Sequence, residues 1–113
     1  MQVAGVILCG GQSRRMGRPK EWLPVGQETM LQRTVRILSQ VLQPIFVVSS
    51  AYQDLPKLSS EVIQLHDLHP NQGPLGGLLT ALNYMPTSVD AFYLSSCDAP
   101  FIKPEFVKLM TRS

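Results

Sequence analysis

Apolar residues come in short runs along this chain, separated by glycine-, proline- and polar-rich turns. The first run, residues 3–8, ends in Cys9-Gly10-Gly11 and reads as a buried strand. Residues 10–20 form a polar, glycine-bearing loop, after which Trp22, Leu23 and Val25 are apolar positions that cover the core beside it. Residues 29–42 read as a helix, because Leu31, Val35, Leu38 and Leu42 recur at spacings of four, three and four and so share one face. Thr29 and Gln32 have the spacing of a capping box at its start, and Pro44 ends it. Residues 45–49 are β-branched and apolar, a second buried strand. Residues 50–60 are a connection, residues 61–65 a third and shorter strand, and residues 67–77 a second turn-rich stretch. A helix over residues 75–85 follows, with Pro74 near its first turn. Residues 91–96 are a fourth strand, then come Cys97-Asp98-Ala99-Pro100, and residues 104–110 start a last helix.

Strands without apolar–polar alternation, separated by helices, argue a parallel sheet covered on both faces. The fold class is α/β, a Rossmann-like three-layer sandwich with a mostly parallel sheet. The expected spatial order of its first four strands is 3-2-1-4. Ligands in such sheets sit past the carboxyl ends of the strands, where strand order reverses. Here that point lies between the first and fourth strands, so residues 9–20 and 97–100 are expected to be neighbours.

Composition narrows the classes. A chain of 113 residues, 44% hydrophobic, is enough for one core and not for two. A net charge of +2 is too weak to argue for nucleic acid or an acidic membrane surface, and no apolar run is long enough to cross a membrane. Cys9 and Cys97 follow apolar runs and are far apart in sequence, which fits buried thiols in a reducing cytoplasm. The two could lie close together if the first and fourth strands pair. His66 and His69 flank Asp67 without a thiolate nearby, and read as solvated loop residues rather than metal ligands.

Positive charge is instead local. Arg14, Arg15, Arg18 and Lys20 fall within the glycine-bearing loop after the first strand. Glycines let a backbone pass close to a phosphate, arginine offers a rigid fork of donors and lysine a mobile point charge. The loop therefore reads as an anion cradle, better suited to a small anion than to a polymer. It is neither a Walker A loop, since no Gly-Lys-Ser/Thr ends it, nor a dinucleotide fingerprint, since the Gly-x-Gly-x-x-Gly spacing is absent. Gly73-Pro74-Leu75-Gly76-Gly77 joins a turn to a helix N-terminus, where backbone groups can meet a nucleobase edge or ribose; it reads equally as an ordinary loop-to-helix turn. Asp98, at the carboxyl end of a central strand, is well placed to hold Mg²⁺, which favours one or two carboxylates plus substrate phosphates.

The spacing Gly10-Gly11-x-Ser13-x-Arg15-Met16-Gly17-x-x-Lys20, continued by Leu23 and Gly26, resembles the signature loop of the molybdenum cofactor guanylyltransferase family of nucleotidyltransferases. The sequence departs from it at Cys9, where alanine is usual, and at Pro19, where an acidic residue is common. The resemblance implies that the loop wraps a triphosphate, with Leu8, Cys9, Gly10, Gly11 and Ser13 lining it and Arg15 and Lys20 on phosphates. It implies that Gly73, Pro74 and Leu75 line the base pocket, that Asp67 helps to hold the nucleoside, and that Asp98 binds the metal. Arg15, Lys20 and Asp98 are then the catalytic set, and Mg²⁺ the cofactor.

By the same resemblance, GMP passes from GTP to molybdopterin and pyrophosphate leaves. The implied partners are those two small molecules, with self-association or contact with molybdoenzyme maturation proteins beside them. Residues 1–113 would be the nucleotide-binding part of a nucleotidyltransferase domain, because family members are considerably longer; the chain is a fragment or a naturally short form. A cytidylyl- or sugar-phosphate nucleotidyltransferase would share the first loop. A non-catalytic nucleotide-binding module would keep the loop and transfer nothing.

Overall fold

The computed structural model describes residues 2–9, 20–50, 53–67, 73–97 and 110–111. β1 (Val3–Leu8) lies at the middle of the sheet. A 3₁₀ turn (Lys20–Trp22) leads into a small antiparallel hairpin of β2 (Pro24–Val25) and β3 (Glu28–Thr29). Then come α1 (Met30–Leu38), β4 (Ile45–Ser49), β5 (Ile63–His66), α2 (Gly73–Tyr84), β6 (Ala91–Ser96) and β7 (Met110–Thr111).

The five-stranded sheet runs β5-β4-β1-β6-β7. Its first four strands are parallel, and they stand in the expected 3-2-1-4 order. The chain moves outward from β1 through β4 to β5, then crosses to the other side of β1 for β6, which makes the gap between β1 and β6 the point of reversal.

Each sheet face has its own core. On one side Ile7, Cys9, Ile45 and Val47 pack with Leu31, Val35 and Leu38 of α1. On the other Ala4, Val6, Phe46 and Val48 pack with Ala81 of α2 and with Met85 beyond it. The alternation of β1 and β4 thus serves two apolar layers, which is why these strands show no apolar–polar alternation. Phe46, Ile7, Leu31 and Leu38 are fully buried, each stabilising the fold by about 1.5–3 kcal/mol.

The helix limits follow local chemistry. Thr29 caps α1: its hydroxyl accepts from the Gln32 N–H at 3.2 Å, while Gln32 Oε1 accepts from the Thr29 N–H at 2.9 Å. The α-helix stops at Leu38 rather than reaching Leu42. Beyond it Gln40 and Val41 donate to Ile37 and Leu38 in tighter i→i−3 turns, and these still deliver Leu42 to the core at 4% exposure. α2 begins two residues earlier than the apolar periodicity indicates, at Gly73, with Pro74 as its second residue.

Three other expectations change. The third strand is shifted to Ile63–His66, so exposed His66 ends a strand rather than sitting in a loop. Met110 belongs to a strand antiparallel to β6, not to a helix, because its backbone pairs with Phe92; the rest of the predicted last helix lies outside the described residues. Trp22 is 37% exposed rather than core cover, since its indole N–H is committed to the Asp54 carbonyl at 2.8 Å.

Candidate active site at the carboxyl edge of the sheet

Four chain exits stand in a row along this edge. Past the paired strands, the Cys9 N–H donates to the Val48 carbonyl at 2.8 Å, the Asp67 N–H to the Ser49 carbonyl at 2.7 Å, and the Cys97 N–H to the Leu8 carbonyl at 3.3 Å. The sheet therefore holds its register to the point at which each loop departs. The glycine-rich loop leaves after Cys9 and the segment bearing Asp98 leaves after Cys97, from adjacent strands paired Leu8 to Ser96. Cys9 and Cys97 are both buried, in the same core cluster.

At the other side of the edge Asp67 follows β5. Its Oδ1 accepts from the Thr80 hydroxyl at 3.4 Å, and that hydroxyl also reaches the Gly76 carbonyl one turn back, at 3.0 Å. Thr80 is fully buried, so α2 fixes the carboxyl's position from beneath. From β6 to β5 there are three strand spacings, roughly 14 Å in all. The chain exits at Cys97 and at Asp67 thus lie on opposite sides of the exit at Cys9.

The α2 N-terminus comes close to the end of β1 because residue 77 has no side chain. A Cβ at Gly77 would lie 2.9 Å from Leu8 Cδ2 and 3.6 Å from Val48 Cγ1. The free N–H groups of a helix's first turn are suited to an oxygen acceptor; here Gly73 and Leu75 carry them, in the stretch singled out in the sequence, while Pro74 has none to give.

Of the predicted site residues, Leu8, Cys9 and Asp67 lie on this edge, the backbone of Gly73, Pro74 and Leu75 opens α2, and Lys20 opens the 3₁₀ turn rather than ending a loop. Gly10, Gly11, Ser13, Arg15 and Asp98 lie outside the described residues.

Two further residues belong here. Gln53 Nε2 donates to the Cys9 carbonyl at 2.8 Å and to Glu21 Oε2 at 2.6 Å, and its Oε1 accepts from the Ser50 N–H at 3.0 Å. Glu21 is 1% exposed, and its Oε1 has no hydrogen-bond partner among the described residues. A lone glutamate between Lys20 and Trp22 carries no periodicity signal. Its one sequence clue is position, directly after the lysine that closes the basic loop.

Among the described residues no helix is long and apolar enough to cross a membrane, and no three His, Cys, Asp or Glu residues form a metal-binding group.

Comparison with known proteins places these features. The family model described as "MobA-like NTP transferase domain" matches residues 5–113. The chain is 40% identical over 111 residues to a probable molybdenum cofactor guanylyltransferase of Mycobacterium avium (strain 104), covering 95% of this chain and 55% of that protein. It superposes with a TM-score of 0.68 on molybdopterin-guanine dinucleotide biosynthesis protein A from Archaeoglobus fulgidus, at 26% identity over 90% of this chain and 50% of that one. A likeness of fold, at 21% identity and a TM-score of 0.64, extends to Rv0371C of Mycobacterium tuberculosis H37Rv in complex with manganese, over 93% of this chain and 55% of that one. The chain spans about half the length of the curated relatives it matches.

Proposed function

Since this chain belongs to the MobA-like NTP transferase domain family, we propose that residues 1–113 are the nucleotide-binding part of a guanylyltransferase that moves GMP from GTP to molybdopterin. The observation that carries the reading is the pairing of β1 with β6 at the point of strand reversal. It brings the exits of the basic glycine loop and of the Asp98 segment side by side. That is where a triphosphate and its counter-ion have to meet.

Nucleotidyl transfer asks little covalent chemistry of a protein. A phosphate oxygen of the acceptor attacks the α-phosphorus in line, the bond to the β-phosphate oxygen breaks, and pyrophosphate departs with the electron pair. An acceptor phosphate is already ionised, so no general base is required. What the chain supplies is positioning and charge. Arg15 and Lys20 offset charge growing on the leaving pyrophosphate, and the Gly10-Gly11 backbone N–H groups hold the phosphates in line. Asp67, steadied by Thr80, orients the nucleoside, with the α2 N-terminus alongside.

The donor set fits a magnesium ion: Asp98, one residue beyond Cys97 at the end of β6, offers a single carboxylate, and the substrate's phosphates supply the remaining oxygens. When bound, the ion neutralises phosphate charge. The manganese complex of the structurally similar Rv0371C is consistent with a divalent cation in this fold. The proposed setting is the cytoplasm, where molybdoenzyme maturation proteins are the proposed protein partners.

Calorimetric binding of GTP, CTP, ATP and UTP with Mg²⁺ present is the direct test. Preference for GTP, followed by pyrophosphate release with molybdopterin, is the expected result. Preference for CTP would move the acceptor to the cytidylyl branch, and binding of none would overturn the reading for this chain.

A further inference from the structure

The residues before and after the basic glycine loop are held by one side chain. Both hydrogens of the Gln53 amide are used, one on the carbonyl of Cys9, immediately before Gly10, and one on the carboxyl of Glu21, immediately after Lys20. Both acceptors lie within 2.8 Å of the same nitrogen. Gln53 is itself held, since its Oε1 accepts from the Ser50 N–H at the end of β4. Its segment is further fastened by the Trp22 indole on the Asp54 carbonyl and by Gln32 Nε2 on the Lys57 carbonyl at 3.0 Å.

We propose that Gln53 and Glu21 form a clamp that fixes the span of residues 10–20, and that they act as positioning residues for the anion this loop takes. The role in nucleotide affinity rests on the function proposed above; the clamp on the loop does not. Holding a loop's ends at one separation removes part of the entropy that must otherwise be lost when its N–H groups converge on a phosphate. Neither residue needs to touch the substrate for this. The burial of Glu21 also follows, because a carboxyl in an interior position requires a donor and Gln53 supplies one.

The test uses the full chain and two readouts. Tryptic cleavage after Arg14 and Arg15 under native conditions reports the loop without any ligand, and calorimetry with GTP and Mg²⁺ reports affinity. Gln53→Met keeps the size and removes both donor bonds together with the Ser50 tether, and Glu21→Ala removes one acceptor. Each is expected to speed cleavage and to weaken GTP binding about fivefold, on the scale of one lost hydrogen bond. Glu21→Gln, which keeps an acceptor oxygen, is expected to restore most of both. The Glu21→Ala/Gln53→Met double variant is expected to be no worse than Gln53→Met alone, because that single change already removes the Gln53–Glu21 bond. Circular dichroism and thermal melting establish that each variant is folded, and Glu21→Gln serves as the reference if a truncation is not. Unchanged cleavage in folded Gln53→Met and Glu21→Ala overturns the clamp. Faster cleavage with unchanged GTP affinity overturns the positioning role. Absence of GTP binding by the unaltered protein is a failure of the proposed function alone, and the cleavage rates still decide the clamp.

Discussion

The hydroxyl of Thr80 lies 3.4 Å from Asp67 Oδ1 and 3.0 Å from the carbonyl of Gly76, so a single proton serves both a helix turn and a carboxyl at the sheet edge. Thr80→Val keeps the shape and removes that proton. Packing is expected to hold, while GTP affinity falls about two- to fivefold through the loss of one hydrogen bond to Asp67. Calorimetry on the variant checks this, and an unchanged affinity would separate Asp67 from the nucleotide site.

Lys20→Ala and Asp98→Ala are expected to weaken GTP binding by roughly 10- to 100-fold each, as fits loss of an interaction with a charged group. The two differ in their response to metal. With Mg²⁺ withdrawn by chelation, the Asp98→Ala protein and the unaltered one should converge in affinity, whereas the Lys20→Ala deficit should persist. Convergence of neither pair would remove Asp98 from the metal.

Gly26 turns the β2–β3 hairpin with φ at +64°, and a Cβ there would meet nothing within 4 Å. Substitution is therefore a question of backbone conformation alone. Gly26→Ala should lower unfolding free energy by about 1–2 kcal/mol, and Gly26→Asn by less, since asparagine tolerates the left-handed region. Urea denaturation of the two variants measures the difference.

Arg36 holds Glu28 from α1, with Nη2 at 2.7 Å from Oε1 and Nε at 3.2 Å from both oxygens. The hydrogen bond from Arg36 is the main cause that sets the Glu28 carboxyl below its ordinary 4.5, and the same bond raises Arg36. A depressed acid contributes stability above its unfolded pKa and loses it as pH falls through the folded one. The melting-temperature gap between the unaltered protein and Arg36→Met should thus be present at neutral pH and close as pH falls through and below the ordinary carboxylate range. It should also shrink in molar salt, because Arg36 is exposed and Glu28 only half-buried, so the pair is open to screening. A gap independent of pH would assign the effect to the arginine's packing.

Much of the architecture could be read from the chain because its strands bury both faces. Residues 3–8, 45–49 and 91–96 are mostly apolar without alternation, and all three are strands within those bounds. The Thr29–Gln32 capping box was legible for the same local reason, as two side chains answer two free N–H groups. The β2–β3 hairpin escaped because each strand is two residues long, although Gly26-Gln27 is a turn signal of the Gly-x kind. Met110 and Thr111 could not be recognised as a strand, since their pairing with β6 is a long-range event. For the site, the sequence pointed to the residues proposed to meet phosphate, which are chemically conspicuous. It did not reveal Gln53, Glu21 or Thr80, whose parts depend on where β4, β5 and α2 carry them.

The close approach at Gly77 sets a dimension. Leu8 ends the strand from which the basic glycine loop starts, and Gly77 lies in the second turn of the helix that Gly73 opens. The offset between the two halves of the candidate site is consequently gauged by one contact between a leucine methyl and a bare Cα. Either loop can exchange its chemistry without altering that gauge. A bulkier residue at 77 would displace α2 outwards and lengthen the ligand that fits, so variation here would act on substrate size while variation in the loops acts on substrate identity.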